Sequence, residues 1–271
     1  MIEIKQVSYT YPDKTEALSN VTCSFSSNKI ALLGSNGSGK STLLQHLNGL
    51  LFPNKGSIII DGVQLTNKTV KEIRSRVGFV FDKPDTQLFA PTVFEDVAFG
   101  PRNLGYSEIE VNELVETTLQ RLKIIDLKDK PPYNLSLGQK KKVAIAGVIA
   151  MCPKFIIFDE PFSGLDPVGL EDFITLLNTL SDQGHTILLS THDVDIAYRW
   201  AKECLILHKG NMISSGPIEI IENEEMMKRA NLSVPTLYSL FKETEYRPKT
   251  VGKAKHLLSS VLLQIRRERM E

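Results

Sequence analysis

An α/β fold built around a phosphate-binding loop is predicted by three observations. An apolar strand, Ile30-Ala31-Leu32-Leu33, runs into Gly34-Ser35-Asn36-Gly37-Ser38-Gly39-Lys40-Ser41-Thr42 and then into the helical Leu43-Leu44. Phe155-Ile156-Ile157-Phe158 is a continuous apolar run, as a parallel strand buried on both faces requires. Between these two strands lies a long stretch in which helical periodicity and helix-start signals dominate.

Taken in order, Ile2 and Ile4, then Val7, Tyr9 and Tyr11, alternate like a strand with one buried face, and Pro12-Asp13-Lys14 reads as a turn. Val21, Cys23 and Phe25 repeat the pattern, so an antiparallel β layer precedes the glycine-rich loop. After that loop Leu43, Leu44, Leu47 and Leu50 fall on one helical stripe, with Gly49 as C-cap. Residues 57–60 and 77–81 read as strands, the first closed by an Asp61-Gly62 turn.

Past the loop Asp82-Lys83-Pro84-Asp85-Thr86-Gln87 the pattern turns helical, which predicts a helical subdomain inserted over residues 82–150. Ser107 with Glu110 forms a capping box ahead of the stripe Leu114, Val115, Leu119 and Leu122. A second box, Ser136 with Gln139, opens a helix through Val143, Ile145 and Val148, just after the helix-stopping Pro131-Pro132. Asp166-Pro167 reads as the N-cap and first residue of a further helix, and residues 186–190 as another buried strand. From about residue 217 to 271 the pattern is a helical extension. Its last stripe is Leu257, Leu258, Val261, Leu262 and Ile265, ended by Arg266-Arg267-Glu268-Arg269, and the expectation is a helix packed on its own domain or on a second copy.

Composition bounds the function. The 271 residues suit one large α/β domain with an appendage, and Lys+Arg and Asp+Glu are equal at 32 each, so net charge draws the chain neither to nucleic acid nor to an anionic membrane. No apolar run approaches the ~18 residues of a membrane span and no leader pattern opens the chain, so the expected compartment is the cytosol. Cys23, Cys152 and Cys204 are far apart among apolar neighbours, as reduced, buried thiols would be. The five histidines are scattered without metal-ligand spacing.

The chemistry concentrates at strand ends. In G-x-x-x-x-G-K-S the glycines let successive backbone N–H groups curl around a polyphosphate, while the following helix aims its positive dipole end at the same charge. Lys40 reaches the β- and γ-phosphates and Ser41 ligates Mg²⁺, so the loop predicts a nucleoside triphosphate site. Two acids at the end of the 155–158 strand are costly unless used: Asp159 is placed to hold Mg²⁺ through water, and Glu160 to orient or deprotonate an attacking water. His192 stands at the carboxyl end of the 186–190 strand, where open α/β sheets keep their sites.

In order and spacing, residues 34–42, Leu135-Ser136-Leu137-Gly138-Gln139, residues 155–160, Ser163-Gly164-Leu165-Asp166 and His192 resemble the Walker A, signature, Walker B, D-loop and H-loop motifs of an ABC ATPase. The resemblance covers residues 1–216, which would form the cassette. Residues 85–101 and Lys141-Lys142-Val143-Ala144-Ile145-Ala146-Gly147-Val148 are similar to the energy-coupling-factor branch of ABC importers. His46-Leu47-Asn48-Gly49 and residues 190–195 are most similar to its cobalt and nickel members.

What the resemblance implies is an ATP- and Mg²⁺-dependent ATPase working as a head-to-tail dimer of cassettes, a homodimer by expectation. Each site would join one chain's loop, Asn36 to Thr42, to the other's Ser136, Gly138 and Gln139, with Tyr11 stacked on adenine and His192 steadying the γ-phosphate. Asp82 would join Ser41 and Asp159 around Mg²⁺. Partners would be a transmembrane coupling subunit, its helices resting near residues 82–101, and a substrate-binding membrane subunit, with the chain peripheral on the cytoplasmic face. Two positions depart from the family: Asp82 stands where it has glutamine, and Leu137 where it has glycine. An aspartate cannot donate a hydrogen bond when ionised, and a branched side chain obstructs close backbone approach to phosphate. The competing readings are an ATPase shared by vitamin-specific modules, a soluble ABC ATPase without transport, and a regulatory cassette that binds ATP and pairs with an active partner.

Overall fold

The computed structural model describes residues 1–268, with side chains through Val261. The chain runs β1 (Ile2–Thr10), β2 (Glu16–Phe25), β3 (Lys29–Leu33), α1 (Lys40–Leu47), β4 (Lys55–Ile60), β5 (Val63–Gln64), α2 (Val70–Arg76) and β6 (Val77–Val80). Then come α3 (Val93–Asn103), α4 (Glu108–Arg121), α5 (Leu137–Ile149), β7 (Phe155–Phe158), α6 (Pro167–Asp182), β8 (Thr186–Thr191) and α7 (Val194–Trp200). The last elements are β9 (Glu203–His208), β10 (Asn211–Pro217), α8 (Glu224–Arg229), α9 (Thr236–Phe241) and α10 (Val251–Glu268).

Among the described residues the strands join in one sheet, in the order β5-β4-β1-β2-β10-β9-β3-β8-β7-β6. The run β9-β3-β8-β7-β6 is parallel, whereas β1, β2, β4 and β5 pair antiparallel. The parallel strands are covered on both faces: Phe155 and Ile157 face the core shared with the antiparallel layer and α1, while Ile156 and Phe158 face the core shared with α3 to α7. That double burial is why the strand reads as an unbroken apolar run. The shift in parity from Ile2 and Ile4 to Val7 along β1 coincides with a register break and with Gln6 at φ 52, a bulge visible in the sequence as a skipped alternation.

Both capping boxes form: Ser107 with Glu110 opens α4, and Ser136 with Gln139 opens α5. Asp166 caps α6 by accepting from the Gly169 N–H at 2.6 Å, with Pro167 at the first helical position. Asp61 and Gly62 both have positive φ, as a tight hairpin turn between β4 and β5 demands. Two expectations need correcting. α1 ends at Leu47 and Gly49 turns left-handed at φ 70, so Leu50 leaves the stripe and is 42% exposed. Cys23 and Cys204 are buried, but Cys152 is exposed, because it occupies a left-handed turn at φ 51 just past the end of α5.

From Ile218 onward, Ile218, Ile221, Met227 and Ala230 are buried in the same core as α7. The Tyr198 hydroxyl donates to Glu222 at 2.7 Å, and Asp195 accepts from the Thr236 N–H and hydroxyl at 2.6 and 2.7 Å. On α10 Ala254 is buried, while Leu258 and Val261 of the predicted stripe are exposed. The side chains of Leu262, Ile265, Arg266, Arg267 and Glu268, and all of Arg269, lie outside the described residues.

Candidate functional site

Four adjacent parallel strands deliver the predicted residues to one edge of the sheet. β3 ends at Leu33, opposite Thr191 of β8, and the glycine-rich loop follows it; β7 ends at Phe158, level with Leu189 and Val80, and leads into Asp159 and Glu160. β8 leads into His192, and β6 into Asp82. The carboxyl end of a parallel sheet is where such sites assemble, because the loops there are free of the packing that holds the strands.

The loop is a preformed anion cradle. Gly39 has φ +101, and a Cβ on it would stand 2.6 Å from the Ala17 carbonyl oxygen, so this position needs glycine both for its backbone and for its space. The Lys40 ammonium is 6% exposed and donates to the carbonyls of Gly34 at 2.7 Å and Ser35 at 3.3 Å, spanning the mouth of the loop. Among the described residues the backbone N–H groups of Gly37, Gly39, Lys40 and Ser41 find no protein acceptor, and the buried Ser38 hydroxyl has no partner. Orphaned donors beside a lysine and a helix N-terminus fit a polyphosphate. Asn36 lies on the same loop. Thr42 accepts or donates a 2.9 Å hydrogen bond with the Tyr11 hydroxyl, which fixes that ring beside the loop with its edge against Tyr9.

Glu160 is the hub of the acidic side. One carboxylate oxygen lies 3.1 Å from Lys40 Nζ and the other 3.1 Å from His192 Nδ1. Its backbone sits at φ 43, a left-handed conformation that costs a branched or long side chain roughly 1–2 kcal/mol. Strain of this kind persists where surrounding contacts over-determine it. Here Ser190 supplies one: its hydroxyl accepts from the Glu160 N–H at 2.9 Å and donates to Asp159 Oδ1 at 2.6 Å. Sequence reading placed Ser190 inside a strand and gave it no role. Its adjacency to Thr191-His192 was the only signal.

Asp159 is 6% exposed, and burial raises its pKa, against hydrogen bonds from the Ser190 and Ser41 hydroxyls that lower it. The charges of Asp82 and Glu160 push it up further. A buried carboxylate with further carboxylates and a serine hydroxyl beside it fits a hard divalent cation with oxygen ligands. Ser41, Asp159 and Asp82 would hold Mg²⁺, which supplies charge neutralisation at the phosphates when bound. Asp82 also accepts from the Lys83 N–H at 2.8 Å.

Ser136, Gly138 and Gln139 stand apart from this cluster. The cavity that they line is bounded by α4, α5 and α6 and includes no residue of the glycine-rich loop. Within one chain, therefore, this cavity and the phosphate cradle are separate features. A separate groove lies between α2 and the helices α3 and α5, lined by Gln87, Leu88, Phe89, Phe99, Gly147 and Met151 among others. Phe89 and Phe99 are 66% and 50% exposed and meet edge to face at 4.8 Å.

The family model described as ABC transporter matches residues 18–163, more than half of the chain. An energy-coupling factor transporter ATP-binding protein from Carboxydothermus hydrogenoformans is 41% identical over 261 residues, covering 95% of this chain and 97% of that protein. A relative of the same description from Methanospirillum hungatei is 48% identical over 251 residues, or 91% of this chain. The chain spans 63% of the length of that relative, and 57% of a putative ABC transporter ATP-binding protein from Methanosarcina mazei. Among solved structures, CbiO1 from Clostridium perfringens, described as part of the ABC transporter complex CbiONQ, superposes with a TM-score of 0.74 at 38% identity, covering 89% of this chain and 98% of that one. A dimeric ATP-binding cassette in a post-hydrolysis state with ADP and Pi gives 0.72 at 29% identity, covering 80% and 99%. With the family model matching more than half of the chain and relatives of matching length this similar, the chain belongs to the ABC transporter family, among the ATP-binding proteins of energy-coupling factor transporters.

Proposed function

We propose that this chain binds and hydrolyses ATP to energise an energy-coupling-factor-type importer. The observation that carries the reading is Glu160, held between Lys40 of the phosphate loop and His192 at 3.1 Å from each. Glu160 orients or deprotonates the attacking water, His192 steadies the γ-phosphate, Asn36 to Thr42 cradle the phosphates, and Tyr11 stacks on adenine. Ser41, Asp82 and Asp159 hold Mg²⁺.

Two copies pair head to tail, so that Ser136, Gly138 and Gln139 of one chain complete the site on the other. The separation of those residues from the loop within one chain supports this, as does the dimer described for the similar ADP-bound cassette. ATP favours the closed pair through its contacts with both chains, and hydrolysis removes that preference. The apolar groove at Phe89 and Phe99 receives helices of a transmembrane coupling subunit, which works with a substrate-binding membrane subunit, and the chain sits peripherally on the cytoplasmic face. No described helix is long and apolar enough to cross a membrane by itself. Residues 1–216 act as the cassette, with 82–150 as its inserted helical part and 217–271 as an extension.

Cobalt or nickel is the cargo we favour, on the likeness of residues 46–49 and 190–195 to the cobalt and nickel members and on the CbiO1 neighbour. Calorimetric titration of Lys40→Ala with Mg-ATP tests the nucleotide site: tight binding is expected to disappear, and unchanged affinity would overturn the assignment. Metal-ion uptake by cells lacking this chain, compared with vitamin uptake, tests the cargo.

A further inference from the structure

Leu137 and Lys141 are one turn apart on α5, so their side chains share a face, and that face meets the loop that follows Glu160. Lys141 is 8% exposed, and its ammonium donates to the Pro161 carbonyl at 2.8 Å and to the Ser163 carbonyl at 2.5 Å. Leu137 reaches the next residue of the same loop: a Cβ on Gly164 would stand 3.3 Å from Leu137 Cδ2. The loop has little to hold its own shape, since its internal bonds, Ser163 N–H to the Glu160 carbonyl and Leu165 N–H to the Phe162 carbonyl, are long at 3.3 and 3.2 Å. It begins at Glu160 with φ 43, a left-handed non-glycine residue that needs outside support.

We propose that Leu137 and Lys141 form a clamp that positions the 160–164 loop, and through it the Glu160 carboxylate, from within the same chain. Ser190 holds the start of the loop by the Glu160 N–H, and the clamp holds its middle through two carbonyls, with the Leu137 side chain standing over Gly164. A buried ammonium facing only carbonyl oxygens is costly, and burial lowers the Lys141 pKa accordingly. The nearby charge of Asp82 acts in the opposite sense, favouring the ammonium. Leu137, which stands where the family has glycine, thereby acquires a structural purpose, because it stands over the loop with a side chain that glycine lacks. Lys141 and Leu137 are positioning residues, because neither touches Glu160 itself among the described contacts.

This inference rests on the reading of Glu160 as the water-activating group, and the test separates the two. Steady-state ATPase, the KM for Mg-ATP and thermal unfolding are measured on the purified full chain for Lys141→Met, Lys141→Arg, Leu137→Gly and Glu160→Gln, and for Lys141→Met combined with Glu160→Gln. Misplacing a catalytic group by about 1 Å costs roughly 10–100-fold, so Lys141→Met is expected to lower kcat by that factor with KM within about twofold of the parent. Lys141→Arg keeps the donors and restores most of the rate. Leu137→Gly, whose side chain is 47% exposed and whose loss leaves the fold standing, lowers kcat about threefold or more. In the Glu160→Gln background Lys141→Met adds no further loss. Wild-type kcat in a folded Lys141→Met, a further loss in the double variant, or faster turnover in Leu137→Gly would each overturn the clamp. Should Lys141→Met fail to fold, Leu137→Gly and Lys141→Arg still decide it by the same criteria. Full turnover by Glu160→Gln would instead overturn the Glu160 assignment, and the clamp's catalytic role with it.

Discussion

Replacing Ser190 by alanine removes one hydroxyl that serves two groups, the buried Asp159 carboxylate and the half-buried Glu160 amide. The side chain is 0% exposed, accepts from the Glu160 N–H at 2.9 Å and donates to Asp159 Oδ1 at 2.6 Å. An orphaned buried amide costs about 1–3 kcal/mol, and a hydrogen bond to a charged partner contributes about 1.5–3 kcal/mol, so the expected loss is roughly 3 kcal/mol. The Glu160 amide is only half-buried, which holds the sum toward the lower end of that range. For a chain of this size ~3 kcal/mol corresponds to a fall in Tm of roughly 6 °C. The catalytic effect has a separate origin. Without the Ser190 contact the left-handed φ of Glu160 loses one of the bonds that hold it, and a carboxylate shifted by about 1 Å lowers turnover roughly 10–100-fold while ATP affinity stays near that of the parent. Differential scanning calorimetry, ATP titration and steady-state turnover on the same preparation read all three. A Tm within 1–2 °C of the parent together with unchanged kcat would show that Ser190 holds neither group, since roughly 0.5–1 kcal/mol is too little for the loss of both bonds.

Gly39→Ala is expected to abolish tight nucleotide binding, because a Cβ there meets the Ala17 carbonyl oxygen at 2.6 Å as well as an unfavourable φ of +101. Gly37→Ala, with open space around its Cβ and φ +75, carries only the backbone cost of about 1–2 kcal/mol; equal losses of ATP affinity in the two variants would contradict the difference in packing. For the thiols, Ellman titration of the native chain should find Cys152 reactive within minutes. Cys23 and Cys204, whose thiols burial pushes up to about 12, react only after denaturation, and three fast thiols in the native state would be at odds with the fold.

The parts legible in the sequence were those encoded over a few neighbouring residues. Two capping boxes, the Asp166-Pro167 helix start, the Asp61-Gly62 hairpin and the glycine-rich loop each depend on side chains acting on backbone within about four positions. The double-faced burial of β7 was legible because four successive apolar residues leave no polar face. What escaped notice depends on distant contacts. Ser190 and Glu160 are 30 positions apart, and Lys141 reaches carbonyls 20 and 22 residues away. No local pattern separates the buried Lys141 from its neighbours Lys140 and Lys142, because the backbone oxygens that it meets belong to a distant loop. Leu50, which helical periodicity would bury, and Cys152, which its apolar neighbours would bury, are exposed for one common reason: each lies just past a helix end, where a left-handed turn at Gly49 or at Cys152 itself redirects the side chain.

If Glu160 activates water at a composite site shared by two chains, loss of its charge shows in both turnover and assembly. The most direct test is Glu160→Gln, an isosteric change that removes the charge, sized by light scattering with and without Mg-ATP and assayed for turnover in the same buffer. Turnover is expected to fall about 10²–10⁴-fold, with ATP affinity little changed and a dimer that persists as long as ATP is present. A variant that remains monomeric with Mg-ATP while hydrolysing it at the parent rate would contradict both the role of Glu160 and the two-chain site.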